Sequence, residues 1–281
     1  MNENILRIGK IRYTNCIPFY HGLEKEMPGL NFSEEVPVQI NNLMHSGHID
    51  IAPISSLEYL NRQNDYLLLP YLGICAERFS GSVILLSHKK IEDLNGCDIA
   101  LSKESLSSSA LLKILLKKKY GFENSFRMAE SNPEQMLRDF PAALVIGDSA
   151  LFYEPKEFVF KYDLSELWRQ WTGKPFCFAV WAARRGVVEK NSAAVRFFLD
   201  SLQKTLLVNL MDLEKVVREA LGLDIKDERF VKVYNYLVNL RFYMTPEILD
   251  GLQLFYQYAN ELGLAPDPHE LEFFESEKSK V

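Results

Sequence analysis

Gly47-His48-Ile49-Asp50-Ile51-Ala52-Pro53-Ile54-Ser55-Ser56-Leu57-Glu58-Tyr59-Leu60 is the stretch whose reading decides the fold. Its first half, Ile49 to Ile54, is a short apolar run of strand length. Its second half opens on Ser55 and sets Glu58 three residues later, just before Tyr59 and Leu60, the capping-box spacing of a helix start. A strand that feeds straight into a helix is half of a βαβ unit. The same alternation recurs through the first two-thirds of the chain and predicts an α/β fold with mostly parallel sheets.

Working outward, the strand candidates are Leu6 to Ile11, Ile49 to Ile54, Val83 to Ser87, Asp98 to Leu101, Ala142 to Ile146 and Phe176 to Ala182. Ser107 or Ser108 opens a helix whose apolar face is Leu111, Leu112, Leu115 and Leu116, closing at Gly121. Asn132-Pro133 reads as an N-cap with proline at the first helical position. From about Lys190 the pattern is helical only, and Thr245-Pro246 caps a last amphipathic helix running to Gly263. If Val83 to Ser87 carries the chain out of one lobe and Phe176 to Ala182 carries it back, the lobes are residues 1–82 plus 183–281 and residues 88–175. Residues 83–87 and 176–182 are then the hinge strands. A single doubly wound domain fits the same periodicity.

Bulk properties narrow the function. The chain has 281 residues, 47% of them apolar and 25% charged, as in an ordinary globular protein. A formal net charge of -6 argues against a nucleic-acid surface and leaves any anionic ligand to be held by local donors. Met1-Asn2-Glu3-Asn4 runs directly into the first apolar run, with no basic n-region or h-region of a secretory signal. No apolar run approaches the roughly 18 residues of a membrane span. Cys16, Cys75, Cys97 and Cys177 are scattered, without metal-ligand spacing, and read as reduced thiols. These features predict a cytoplasmic protein with no membrane or nucleic-acid partner. They leave the oligomeric state open.

Polar residues stand where strands end and helices begin: Tyr13-Thr14-Asn15, Ser55-Ser56, Ser80-Gly81-Ser82, Ser105 to Ser109, Gly147-Asp148-Ser149 and Thr172-Gly173. Helix N-termini offer free N–H groups and a partial positive potential, so several of them converging on one cleft would hold a small polyanion. Each taken singly is better read as a plain cap. No G-x-S-x-G, G-x-x-x-x-G-K-[ST], G-x-G-x-x-G or H-E-x-x-H motif occurs. His45 and His48 lack a third ligand and read as exposed polar residues. No metal is expected. The residues alone reach a two-lobed binder or cleft enzyme for a small anion.

Read in order, several blocks resemble the chorismate dehydratases of the futalosine route to menaquinone. Gly9-Lys10-Ile11-Arg12-Tyr13-Thr14-Asn15 is similar to the family's opening strand and asparagine turn, and the block from Gly47 to Tyr59 to its G-x-x-D-x-x-x-x-S-x-x-E-Y. Leu68-Leu69-Pro70, Glu104 to Ser108, Ile146 to Leu151, Tyr162 through Trp181 and Leu252 to Leu264 follow in turn. Tyr-Thr-Asn here replaces the common Tyr-Leu-Asn, and Ser-Leu-Ser-Ser replaces Ser-x-Thr-Ser. The resemblance implies a two-lobed fold like the type II periplasmic binding proteins, with a helical C-terminal segment. It also implies a cofactor-free cytoplasmic lyase that removes water from chorismate to give 3-[(1-carboxyvinyl)oxy]benzoate, the substrate's own enolpyruvyl carboxylate serving as base.

By motif match Asn15 and Ser82 are the expected catalytic residues. Asn15 would orient the substrate or bond its departing hydroxyl, and Ser82 would hold the carboxylate that acts as base or stabilise a carbanion-like intermediate. Ser55, Ser56, Ser107, Ser108, Gly147, Asp148 and Thr172 are expected to bind substrate. Lys10 and Arg12, on one strand face, would add positive charge. The rival readings are a non-catalytic solute-binding protein for a small carboxylate, an effector-sensing domain, and the later 1,4-dihydroxy-6-naphthoate synthase of the same route. That last enzyme opens on a Ser-Pro-Cys-Pro-Asn-Asp-Thr-like turn, absent here.

Overall fold

The computed structural model describes residues 6–274. Residues 1–5 and 275–281, counted above with the first lobe and with the N-terminal reading, lie outside the described residues. Among the described residues eleven strands form two sheets. In chain order they are β1 (Arg7–Ile11), β2 (Asn31–Glu35), β3 (Ile51–Ser55), β4 (Tyr66–Ala76), β5 (Val83–Ser87), β6 (Asp98–Ser102), β7 (Ser125–Ala129), β8 (Ala142–Ile146), β9 (Phe160–Asp163), β10 (Phe176–Arg184) and β11 (Leu240–Tyr243). The first sheet has the order β11-β4-β10-β3-β1-β2 and the second β7-β6-β8-β5-β9.

Each sheet has a parallel half. β1 pairs parallel with β2 and β3, and β6 pairs parallel with β7 and β8. Both sheets are nevertheless mixed, where mostly parallel ones were expected. β5, by which the chain enters the second sheet, runs antiparallel to β8 and β9, and β10, by which it returns, runs antiparallel to β3 and β4. β11 adds an antiparallel edge and is a strand inside the segment read as helical only.

The interior of the first sheet centres on Trp181 of β10, fully buried, with the ring of Phe19 at 5.2 Å and that of Phe198 at 6.0 Å. After β10 the kinked helix Arg185–Met211 packs on β10 and β4, and helices Leu213–Leu221 and Glu228–Asn239 follow it. The last of these buries Phe230, Val233, Tyr236 and Leu237. Thr245 caps helix Pro246–Glu261 through Ile248 N, and Asn132 caps helix Pro133–Asp139 through Gln135 N, as their sequences predict.

Two helix starts differ from their sequence reading. Ser105, not Ser107 or Ser108, is the N-cap of helix Leu106–Ile114. Ser55 precedes helix Ser56–Asn61 but makes no capping bond. Its hydroxyl turns instead to Ser107, while Glu58 accepts from Tyr66 Oη at 3.3 Å and pairs with Arg62 at 3.4 Å. A buried hydroxyl across the interface outcompetes the local cap.

Candidate active site

The carboxyl ends of β1 and β3 in the first sheet face the carboxyl ends of β6 and β8 in the second, the place where open α/β sheets bind ligands. Three sets of polar contacts span the gap, and a fourth, between Ser82 and Tyr236, lies beside it. Tyr13 donates its hydroxyl to Glu104 Oε2 at 2.6 Å. Thr14 donates to Asp148. Ser107 Oγ bonds Ser55 Oγ at 2.7 Å and Ser56 Oγ at 2.9 Å, and accepts from Leu57 N at 3.0 Å. Ser82 Oγ lies 2.8 Å from Tyr236 Oη.

Between these contacts is a cavity of about 60 Å³ lined by Asn15, Ser55, Ser80, Ser82, Ser105, Ser108, Gly147, Tyr13, Tyr236 and apolar side chains including Ile74, Phe178 and Leu240. No lysine, arginine, histidine, aspartate or glutamate is among its lining residues. Among its described lining residues the titratable groups are the two tyrosines, and both are pushed upward: Tyr13 by burial and then by its bond to Glu104, Tyr236 by burial against the opposing pull of Ser82 and Asn15. At neutral pH both are phenols, which donate. What the cavity can offer a ligand is hydroxyl and N–H donors in a dry setting.

Local structure fixes these donors. Asn15 sits in the short helical turn Thr14–Cys16 directly after β1, and its Oδ1 is buried with no hydrogen-bond partner among the described residues. Ser82 follows Gly81, whose φ of 68° is a left-handed conformation that favours glycine. The loop is tied down by Asp163, which accepts from Ser80 N at 2.9 Å, Ser80 Oγ at 3.0 Å and Gly81 N at 2.7 Å. Asp163 also caps helix Leu164–Thr172. Burial raises its carboxyl, while these donors pull the other way. Gly147 has φ 61° and donates its N–H to Ser82 O at 2.8 Å, joining the β8 turn to the β5 entry.

The expected site residues therefore divide. Asn15, Ser82, Ser55, Ser108 and Gly147 meet at one cavity. Ser56 and Ser107, fully buried, are absent from its lining and are consumed in the hydroxyl network, Ser56 Oγ also donating to Cys177 O at 2.9 Å. Thr172 stands apart at the end of its helix, donating to Trp168 O at 2.8 Å. Asp148 lines an outer groove together with Lys10 and Arg12. Register explains the two cations: β1 pairs Lys10 with Glu34 and Ile11 with Glu35, so carboxylates run alongside. Lys10 Nζ is 3.0 Å from Glu34 and Arg12 3.6 Å from Glu35.

Tyr236 is a cavity residue that the sequence reading missed. On helix Glu228–Asn239 it falls on the apolar face and reads as core. The available signal was chemical, since a buried tyrosine hydroxyl requires a partner. Among the described residues no cluster of His, Cys, Asp and Glu could hold a metal ion, and no helix is long and apolar enough to cross a membrane.

Comparison with known proteins agrees with this architecture. Residues 6–261 match a family model described as menaquinone biosynthesis. A chorismate dehydratase of Thermus thermophilus is 32% identical, covering 92% of this chain and 95% of that relative. A chorismate dehydratase of Campylobacter jejuni is 28% identical over 79% of this chain and 85% of its own. The periplasmic aliphatic sulphonate binding protein of Escherichia coli superposes with a TM-score of 0.64 at 17% identity, covering 96% of each chain. The fold is thus that of the two-lobed periplasmic binding proteins, and the chain belongs to the menaquinone biosynthesis family.

Proposed function

We propose that the protein is a hydro-lyase that converts chorismate to 3-[(1-carboxyvinyl)oxy]benzoate and water, on the futalosine route to menaquinone. The observation that carries this reading is the cavity lining: converging neutral donors, Asn15 and Ser82 among them, with no carboxylate or imidazole to act as a base. Chorismate brings its own anionic oxygens and its own driving force, because losing the ring hydroxyl and the neighbouring ring proton makes the ring aromatic. The enolpyruvyl carboxylate takes the proton, the C–H electron pair becomes a ring π bond, and the C–O bond breaks. Proton and hydroxide leave together as water. The equation needs no oxidant, reductant or cofactor.

What the site must supply is orientation and charge stabilisation. Ser82 holds the carboxylate that acts as base. Asn15 bonds the departing hydroxyl, to which its otherwise unpartnered Oδ1 and its N–H groups are both suited. Ser55, Ser108 and the backbone at Gly147 grip the remaining oxygens, aided by the N-terminus of helix Leu106–Ile114. Asp148, Lys10 and Arg12 act from outside, in setting the closed state and the charge near the entrance.

A cavity of about 60 Å³ falls short of the roughly 300 Å³ at the lower end of ordinary ligand pockets. The lobes must therefore part to admit substrate. We assign residues 1–82 with 183–281 to one moving body and 88–175 to the other, joined through strands 83–87 and 176–182. A cytoplasmic location belongs to the same reading, supported by the biosynthetic relatives.

Purified protein incubated with chorismate, without added cofactor, and followed by chromatography and ultraviolet absorbance tests the proposal. Product above the spontaneous background, lost in Asn15→Ala, is the expected result. Chorismate that raises thermal stability without reacting would favour a solute-binding protein on the same fold.

A further inference from the structure

Tyr236 lines the cavity together with Asn15 and Ser82, and it is the one residue of helix Glu228–Asn239 that does so among the described residues. Its ring packs beside Gly81, whose Cβ position is 3.5 Å from Tyr236 Cδ2, and its hydroxyl is 2.8 Å from Ser82 Oγ. Ser82 is thus held twice: its backbone by the loop that Asp163 ties down, and its side-chain rotor by Tyr236.

Two hydroxyls in contact share one hydrogen bond, and its direction decides what the second offers. If Ser82 donates to Tyr236, Ser82 Oγ presents only lone pairs to the cavity, which repel an anion. If Tyr236 donates, the Ser82 proton is free to point inward. Only the second arrangement suits an anionic oxygen.

We propose that Tyr236 is a positioning residue whose phenol donates to Ser82 Oγ and thereby turns the Ser82 hydroxyl proton toward the substrate carboxylate that removes the ring proton. This rests on the chorismate dehydratase reading of the cavity. Burial holds the phenol in its protonated, donating form wherever carboxylates are ionised. The chain of two hydroxyls also strengthens the inner bond, each donor polarising the next.

The test is a double-mutant cycle in the chorismate assay, with the unmodified protein run alongside. Tyr236→Phe should lower kcat about 10- to 100-fold, the size of one hydrogen bond to a charged group, with KM within about threefold. In the Ser82→Ala background Tyr236→Phe should add no further loss, because the group it acts through is gone. Wild-type kcat in Tyr236→Phe, or losses that multiply in the double variant, overturns the proposal. An inactive unmodified protein instead defeats the chorismate reading, so the two failures are distinguishable. Should Tyr236→Phe not fold, 3-fluorotyrosine placed at 236 keeps the shape and alters only the donor. A change in kcat that vanishes in Ser82→Ala supports the positioning role, and an unchanged kcat refutes it.

Discussion

One carboxylate, that of Asp148, receives both hydrogen bonds that Thr14 can donate: the amide at 3.1 Å and the hydroxyl at 2.9 Å. The two residues are 134 positions apart in sequence and follow strands of different sheets, Thr14 after β1 and Asp148 after β8. Burial raises the Asp148 carboxyl above the usual range, against the pull of Thr14. The contact thus works as a fastening between lobes whose charge is costly to keep. Asp148→Ala should weaken the closed state, raising KM about tenfold for a lost contact of roughly 1.4 kcal/mol while changing kcat less. Small-angle scattering should show a larger radius of gyration than that of the unmodified protein. An unchanged radius and KM would remove Asp148 from closure.

Gly147 gives a sharper steric prediction. A Cβ there would lie 2.6–2.9 Å from three ring atoms of Tyr13, at a φ of 61° that side-chain-bearing residues avoid. Gly147→Ala should cost on the order of 1–3 kcal/mol in stability and displace Tyr13 from Glu104. Calorimetry and kcat should both report it. Full activity with an unshifted Tm would mean that the β8 turn has freedom the geometry denies.

Ser107 is expected to matter for stability more than for chemistry. Removing its hydroxyl leaves Ser55, Ser56 and Leu57 N short of a partner, so Ser107→Ala should destabilise by about 1–3 kcal/mol with KM and kcat close to wild type at temperatures where it is folded. A large kcat loss in a protein of unaltered Tm would place Ser107 on the substrate instead.

Acid should stabilise rather than harm the fold over a limited range. Glu58, Asp148 and Asp163 all have carboxyls raised by burial. Between the ordinary carboxylate value, about 4, and each raised one, the native state binds more protons than the unfolded chain, so stability falls as pH rises through that window. Tm should therefore rise as pH is lowered from neutrality toward that value, and less so in Glu58→Gln. A Tm that is flat or falling over this range in the unmodified protein would contradict the burial argument.

The strands missed from the sequence have a common cause. β2, β7, β9 and β11 are the four sheet edges. Asn-Phe-Ser-Glu-Glu, Ser-Phe-Arg-Met-Ala, Phe-Lys-Tyr-Asp and Leu-Arg-Phe-Tyr carry charges and cover only one flank, so they lack the continuous apolar run that marks a central strand. β4 was hidden by Pro70, which sits where its pairing with β10 loses register. The serines show a different limit. Ser55 and Ser107 were visible as polar residues at helix starts, but nothing local says that one faces a cavity while the other is consumed by its neighbours. Tyr236 is 154 residues from Ser82, and only the helical tail folding back brings them together.

The order of the first sheet bears on how the chain is made. All five strands of the second sheet have been synthesised by Asp163, whereas β10, which lies between β3 and β4, arrives only with Phe176–Arg184. On a ribosome the interrupted sheet must hold its β3 and β4 edges open while the inserted one completes its pairing. Trp181, at the centre of the first core, reaches its place between strands that have waited more than a hundred residues for it. Slow translation around β10 would then prolong the exposure of two apolar strand edges, and aggregation of nascent chains should concentrate there.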